Sequence, residues 1–104
     1  MAYKLYHAFA AHQDIFGILD YLTEHLDSKA AARHFQSELT ACYKRLRENP
    51  YLYPVCREER IAARGFHCAP VMRYIIFYTF DEEKCIVRIH RIIHGTRDYA
   101  QMLG

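Results

Sequence analysis

The sequence predicts an α+β domain of order β-α-α-β-β-β, with an antiparallel helical hairpin packed on a small antiparallel twisted sheet. Three observations carry this. Helical apolar spacing is confined to residues 15–46, the period changes after Asn49-Pro50, and two later apolar runs flank the polar turn Asp81-Glu82-Glu83-Lys84. With 104 residues, 52% hydrophobic and 25% charged, and only four Gly and three Pro, the composition is that of one folded unit, so residues 1–104 read as a single domain.

Residues 3–9 alternate in polarity and carry three aromatics, which predicts a short first strand. Ile15, Ile18, Leu19, Leu22 and Leu26 then form one apolar helical stripe, with Asp14, Asp20 and Glu24 off it. Asp27 or Ser28 can cap a second helix, in which Phe35, Leu39, Cys42 and Leu46 repeat the spacing until Asn49-Pro50 stops it. So short a connection makes the two helices antiparallel neighbours. Tyr51-Leu52-Tyr53-Pro54 is expected to clamp the hairpin to the sheet, and residues 55–64, charged or small, to wrap the surface.

Gly65-Phe66-His67-Cys68 reads as a short strand stopped by Pro70. Arg73–Phe80 is apolar on both faces, the pattern of a central strand. Cys85–Ile93 returns beside it, with Cys85, Val87 and Ile89 on one face and Arg88 and His90 on the other, and the tail His94–Leu103 is expected to add a last helical turn. The predicted core is Leu5, Ile15, Ile18, Leu22, Phe35, Leu39, Leu46, Ile76, Tyr78, Val87 and Ile89, with the far sheet face partly open.

Cys42, Cys56, Cys68 and Cys85 lie 14, 12 and 17 residues apart with no C-x-x-C pair, so they are expected as four free thiols. The histidines show no ligand spacing, which argues against a metal, and nothing calls for a cofactor. The longest apolar run, Tyr74–Phe80, is far short of the roughly 20 residues that span a bilayer, and the N-terminus lacks a basic-then-apolar leader. The expectation is a soluble, cytoplasmic protein without membrane contact.

Seven of the ten arginines lie from residue 57 onward, while the acidic residues there are confined to Glu58-Glu59, Asp81-Glu82-Glu83 and Asp98. His67, Arg73, Arg88, His90, Arg91, His94 and Arg97 would therefore gather as a basic patch on the open sheet face and its end. Two readings stand: a solvated face paired with the acidic turns, or a surface for an anionic partner such as nucleic acid or an acidic protein segment. Arg33, Lys44, Arg45 and Arg47 lie mostly off the stripes and read as solvated.

Four stretches, in order, resemble the RelE/ParE superfamily, the small toxins of bacterial type II toxin–antitoxin systems. They are Gln13-Asp14-Ile15-Phe16-Gly17-Ile18-Leu19-Asp20-Tyr21-Leu22, Leu46-x-x-Asn49-Pro50-Tyr51-Leu52-Tyr53-Pro54, Arg73-Tyr74-Ile75-Ile76-Phe77-Tyr78, and the most specific, Arg91-Ile92-Ile93-His94-Gly95-Thr96-Arg97-Asp98-Tyr99. The resemblance implies a toxin held silent by a cognate antitoxin, with one of two targets. ParE-like members block DNA gyrase; RelE-like members cut messenger RNA on the ribosome.

Cleavage through the 2′-hydroxyl needs a base, a cation beside the phosphate and an acid for the leaving oxygen. Arg97 matches the late arginine of the nucleases, His94 can serve as acid or base, and Tyr99 aligns only loosely with their tyrosine. Ile75 stands where those enzymes carry a central-strand arginine; Arg73, two residues earlier and expected on the same face, is the substitute. Arg73, His94, Arg97 and Tyr99 are thus the candidate catalytic residues if the chain is a nuclease, and Arg64, His67, Arg88, His90 and Arg91 the candidate target-binding ones. Each has a plainer role: a turn histidine for His94, a pin for the tail at Tyr99, an ion pair with Asp98 for Arg97. The wording His-Gly-x-Arg-Asp-Tyr and the Ile75 replacement favour the ParE-like branch. An inactive relative or a non-toxic binding module is the remaining alternative.

Overall fold

The computed structural model describes residues 2–103; Met1 and Gly104, the ends of the expected domain, lie outside the described residues. Strand β1 (Lys4–His7) is followed by α1 (Phe9–Asp20), extended by a π-helical turn over Tyr21–His25, and by α2 (Lys29–Glu48). After the loop and a one-turn helix α3 (Glu59–Ala62) come β2 (His67–Val71), β3 (Tyr74–Asp81), β4 (Ile86–His94) and a final turn α4 (Tyr99–Met102).

The strand order is β1-β4-β3-β2. β3 pairs antiparallel with both neighbours, but β1 runs parallel to β4, so the sheet is mixed rather than wholly antiparallel. The physical cause is the connection: the helical hairpin carries the chain across one face and returns it by way of β2 and β3, which leaves β4 pointing the same way as β1. β1 is also shorter than the alternation suggested. Phe9 opens α1 and is 75% exposed.

α2 starts at Ser28, whose hydroxyl accepts the Ala31 N–H at 3.0 Å. Its stripe of Phe35, Leu39, Cys42 and Leu46 is fully turned inward against Ile76, Tyr78, Val87, Ile89 and Ile92 of the sheet. Each large side chain buried there contributes about 1.5–3 kcal/mol. From α1, Ala11, Ile18 and Leu22 are buried, while Leu5 and Ile15 pack against this core only half-buried. Leu26 leaves the stripe altogether and is 52% exposed, because the wider π turn at Tyr21–His25 rotates the following residue away from the sheet.

The other sheet face is less open than expected. Ile61 of α3, Cys56, Phe66 and the tail residue Leu103 pack over Phe77 and Ile93 as a second, smaller cluster. The stretch 55–64 therefore supplies core, not only surface. Pro70 falls inside β2 instead of ending it, as an edge strand tolerates. A bulge at Phe77/Tyr78 leaves His90 without a partner, since Tyr78 pairs Ile89 and Phe77 pairs Arg91. Ile92 thereby returns to the helix side and Ile93 to the second cluster.

Cysteines divide in two. Cys56 and Cys68 form a disulfide with Cα atoms 5.3 Å apart, which corrects the expectation of four free thiols. The Val55–His67 bridge places them side by side, a contact that spacing alone does not reveal. Cys42 is a free, buried thiol, pushed above its ordinary pKa by burial. Cys85 does not begin β4; it sits in the preceding turn with φ +54°.

Candidate functional site: a cleft at the end of the sheet

The two turns that close the sheet at one end meet beside α1. The two-residue turn Met72-Arg73 between β2 and β3 holds Met72 at φ +56°, a left-handed conformation that costs a residue with a Cβ and is kept only where its surroundings enforce it. The turn after β4 is fastened to it: Gly95 N–H donates to the Arg73 carbonyl at 2.9 Å, and Arg97 N–H donates to the His94 carbonyl at 2.9 Å. Together they border a cleft of about 810 Å³, floored by Ile18, Leu22 and Ile92 and lipped by Tyr21, Leu26 and Met72.

Arg73, His94 and Arg97 all line this cleft, although 24 residues separate the first from the last in the numbering. Arg73 lies in the turn rather than on β3, so it does not share the strand face of Ile75, which packs into the second cluster. His94 Nδ1 lies 2.8 Å from the Thr96 hydroxyl and accepts the Thr96 N–H at 3.2 Å, and its ring stands edge-on to Tyr74. That pattern holds the imidazole in one orientation and leaves Nε2 without a hydrogen-bond partner among the described residues. Neither arginine is in an ion pair among the described residues; Arg97 does not pair with Asp98. Tyr99 is elsewhere, its ring 5.2 Å from that of Phe77 on the opposite sheet face.

The remaining basic candidates do not form one patch. Arg91 reaches the middle of α1 and donates to Asp14 from Nε at 2.7 Å and from Nη2 at 2.9 Å, with Nη1 on the Met102 carbonyl at 3.1 Å. Its charge is neutralised within the fold. β1 ends at His7, so β4 beyond Ile89 has no strand on that side, and Asp14 also accepts the Ile92 N–H at 2.9 Å that a strand would have satisfied.

His67 turns to the helix side, its ring tilted against those of Tyr78 and Phe80 with Nδ1 2.8 Å from the Tyr53 carbonyl oxygen. Arg88 and His90 stay on the open face together with Arg64, which lies 4.9 Å above the Phe66 ring. His90 shares a 2.8 Å hydrogen bond with Thr79; burial, then the charges of Arg88 and Arg64, hold it below the usual imidazole pKa.

Residues that pattern did not single out complete the cleft: Tyr21 on the π turn, Met72, and Thr96, which orients His94. Asp14 was visible only as a polar residue off a helical stripe. Among the described residues no group of three metal-ligating side chains exists, and no helix is long and apolar enough to cross a membrane.

No curated protein matches the chain. Among solved structures, it superposes on a chain of the RelBE2 toxin–antitoxin complex from Mycobacterium tuberculosis with a TM-score of 0.62 at 22% identity, covering 90% of this chain and 92% of that one. It superposes on a chain of the chromosomal ParDE system from P. aeruginosa with a TM-score of 0.69 at 15% identity, covering 89% and 96%. The sequence model of the family described as ParE toxin of type II toxin–antitoxin system, parDE, matches residues 9–99. That span holds both helices, the closing turns and three of the four strands, and on it the chain belongs to the ParE toxin family of type II toxin–antitoxin systems.

Proposed function

We propose that the chain arrests growth as a ParE-like toxin that engages DNA gyrase, and that a cognate antitoxin silences it. The observation that supports this over RNA cleavage is the central strand. Ile75 and Phe77 point into an apolar cluster where a nuclease needs a phosphate ligand, and Tyr99 packs on Phe77 instead of reaching the cleft. Arg73 and Arg97 are then target contacts rather than catalysts, and Arg64 and Arg88 form a separate basic surface for an acidic stretch of target or antitoxin, to which His90, hydrogen-bonded to Thr79 and held below the usual imidazole pKa, adds no charge. His67 and Arg91 are held by the fold and take no part in this surface.

The antitoxin fits as a small protein with an acidic segment that orders on binding, with association that is fast and sensitive to salt. A second reading rests on the convergence of Arg73, His94 and Arg97: with Nε2 of His94 as acid or base and two cations beside a phosphate, the cleft would serve a ribosome-dependent endonuclease. Inhibition of supercoiling by the purified chain, weakened in Arg97→Ala, with no ribosome-dependent cutting of messenger RNA, is the expected result. Cutting that is lost in His94→Ala or Arg97→Ala would establish the second reading instead. Induced expression without the antitoxin should stop growth; normal growth would leave only a binding module.

A further inference from the structure

We propose that Cys56–Cys68 is a reversible thiol–disulfide site, open to a dithiol reductant, that seats or releases the loop 55–67 and the C-terminal tail as one local unit. Loop 55–67 is nearly closed on itself: Val55 bridges His67, Cys56 N–H donates to the Phe66 carbonyl at 2.9 Å, and Cys68 N–H donates to the Pro54 carbonyl at 3.3 Å. Its own side chains, Ile61 and Phe66, fill it from within, as in a compact surface loop. Those side chains and Cys56 belong to the second cluster, whose other buried members among the described residues are Phe77, Ile93 and the tail residue Leu103.

The tail is fastened to the same unit. Arg64, on the loop, donates to the Leu103 carbonyl at 2.9 Å, and Arg91 donates to the Met102 carbonyl at 3.1 Å. The buried side chains of this cluster are separate from the helix-side core, which lies across the β3 and β4 backbone, and the tie to α1 runs through Arg91, whose guanidinium also holds Asp14. A satellite cluster this small has little apolar area to hold it, so the covalent link matters most there, and its loss is confined there.

Cys68 is the more exposed residue of the pair, half-buried where Cys56 is 5% exposed, and so the side from which a reductant approaches. A dithiol's thiolate attacks Cys68 Sγ and Cys56 leaves as thiolate. The second thiol of the reductant then attacks the mixed disulfide and releases Cys68. Two electrons pass from the dithiol, which becomes a disulfide, and two protons end on the two cysteines. In the opened form Phe77 and Ile93 lose their cover, Arg64 and Arg91 lose their tail carbonyls, and the chain after Arg97 is no longer anchored.

Maleimide counting under denaturing, non-reducing conditions should find two thiols, Cys42 and Cys85, and four after dithiothreitol. Hydrogen exchange read by mass spectrometry on both forms should show exchange in 55–66 and 98–103 faster on reduction, on the order of 10- to 100-fold, with β3 and α2 unchanged. Trypsin cleavage at Arg57, Arg60 and Arg64 should rise in parallel. The variant Cys56→Ala/Cys68→Ala should resemble the reduced form in both conditions and ignore dithiothreitol; reduced wild type carries the test if that variant does not fold. Four thiols before reduction, equal exchange in the two forms, or loss of protection through β3 and α2 together would each overturn the proposal.

Discussion

Replacing Asp14 by Ala removes the carboxylate that joins α1 to β4. Three hydrogen bonds disappear at once: two from Arg91, at 2.7 and 2.9 Å, and one from the Ile92 amide at 2.9 Å. The pair is largely sheltered, with side-chain exposures of 22% for Arg91 and 15% for Asp14, so water restores only part of what is lost. Breaking a buried pair from one side costs about 3–5 kcal/mol, and an exposed pair costs under about 1. At this depth the expected loss is about 2–4 kcal/mol, most of it from the guanidinium and the orphaned amide left behind rather than from the attraction itself.

For a domain of this size that is a fall in Tm on the order of 10–25 °C. Asp14→Asn, which keeps an acceptor, should lose about half as much. Urea unfolding followed by circular dichroism on Asp14→Ala, Arg91→Met and the double variant measures the coupling directly. The reasoning fails if Asp14→Ala costs less than about 1 kcal/mol, or if the double variant is simply the sum of the singles.

Tyr78 is fully buried and its hydroxyl donates to the Pro50 carbonyl at 2.8 Å, so Tyr78→Phe should cost about 1–2 kcal/mol in urea unfolding by leaving that oxygen unpaired. A neutral result would mean that water reaches it. Ser28→Ala removes the α2 cap and should cost about 1 kcal/mol, restored largely by Asp at the same position.

Acid should also destabilise the fold. His7 and His90 are both held below the ordinary value of 6.5, His7 by burial and then by His12, so the unfolded chain binds more protons than the folded one between those lowered values and 6.5. Their contribution is present above pH 6.5 and is lost as pH falls through the lowered folded values. His7→Gln/His90→Gln should flatten that part of the stability curve, and stability that rises on acidification through this window would contradict the assignment.

Local rules reach far into this chain. The α2 stripe, the Ser28 cap and the stop at Asn49-Pro50 depend on residues a few positions apart, and side chains three and four apart share a helix face whatever they pack on. The doubly apolar β3 likewise announces a central strand, and the closing motif His94-Gly95-Thr96-Arg97 identifies the turn that reaches the cleft. Leu26 escapes such reading because one π turn breaks the 3.6-residue count.

Pairings between distant residues emerge only once the elements are packed together. Arg91 looked like free positive charge until α1 brought Asp14 to it across 77 positions, and Cys56 and Cys68 looked like isolated thiols until the Val55–His67 bridge aligned them. The bulge at His90 and the parallel course of β1 belong to the same class. Which faces are apolar and which elements form is legible in the residue order, because those follow from spacing along one chain. Which charges stay uncompensated and which turns meet is not legible there, because these depend on how the elements are brought together in space.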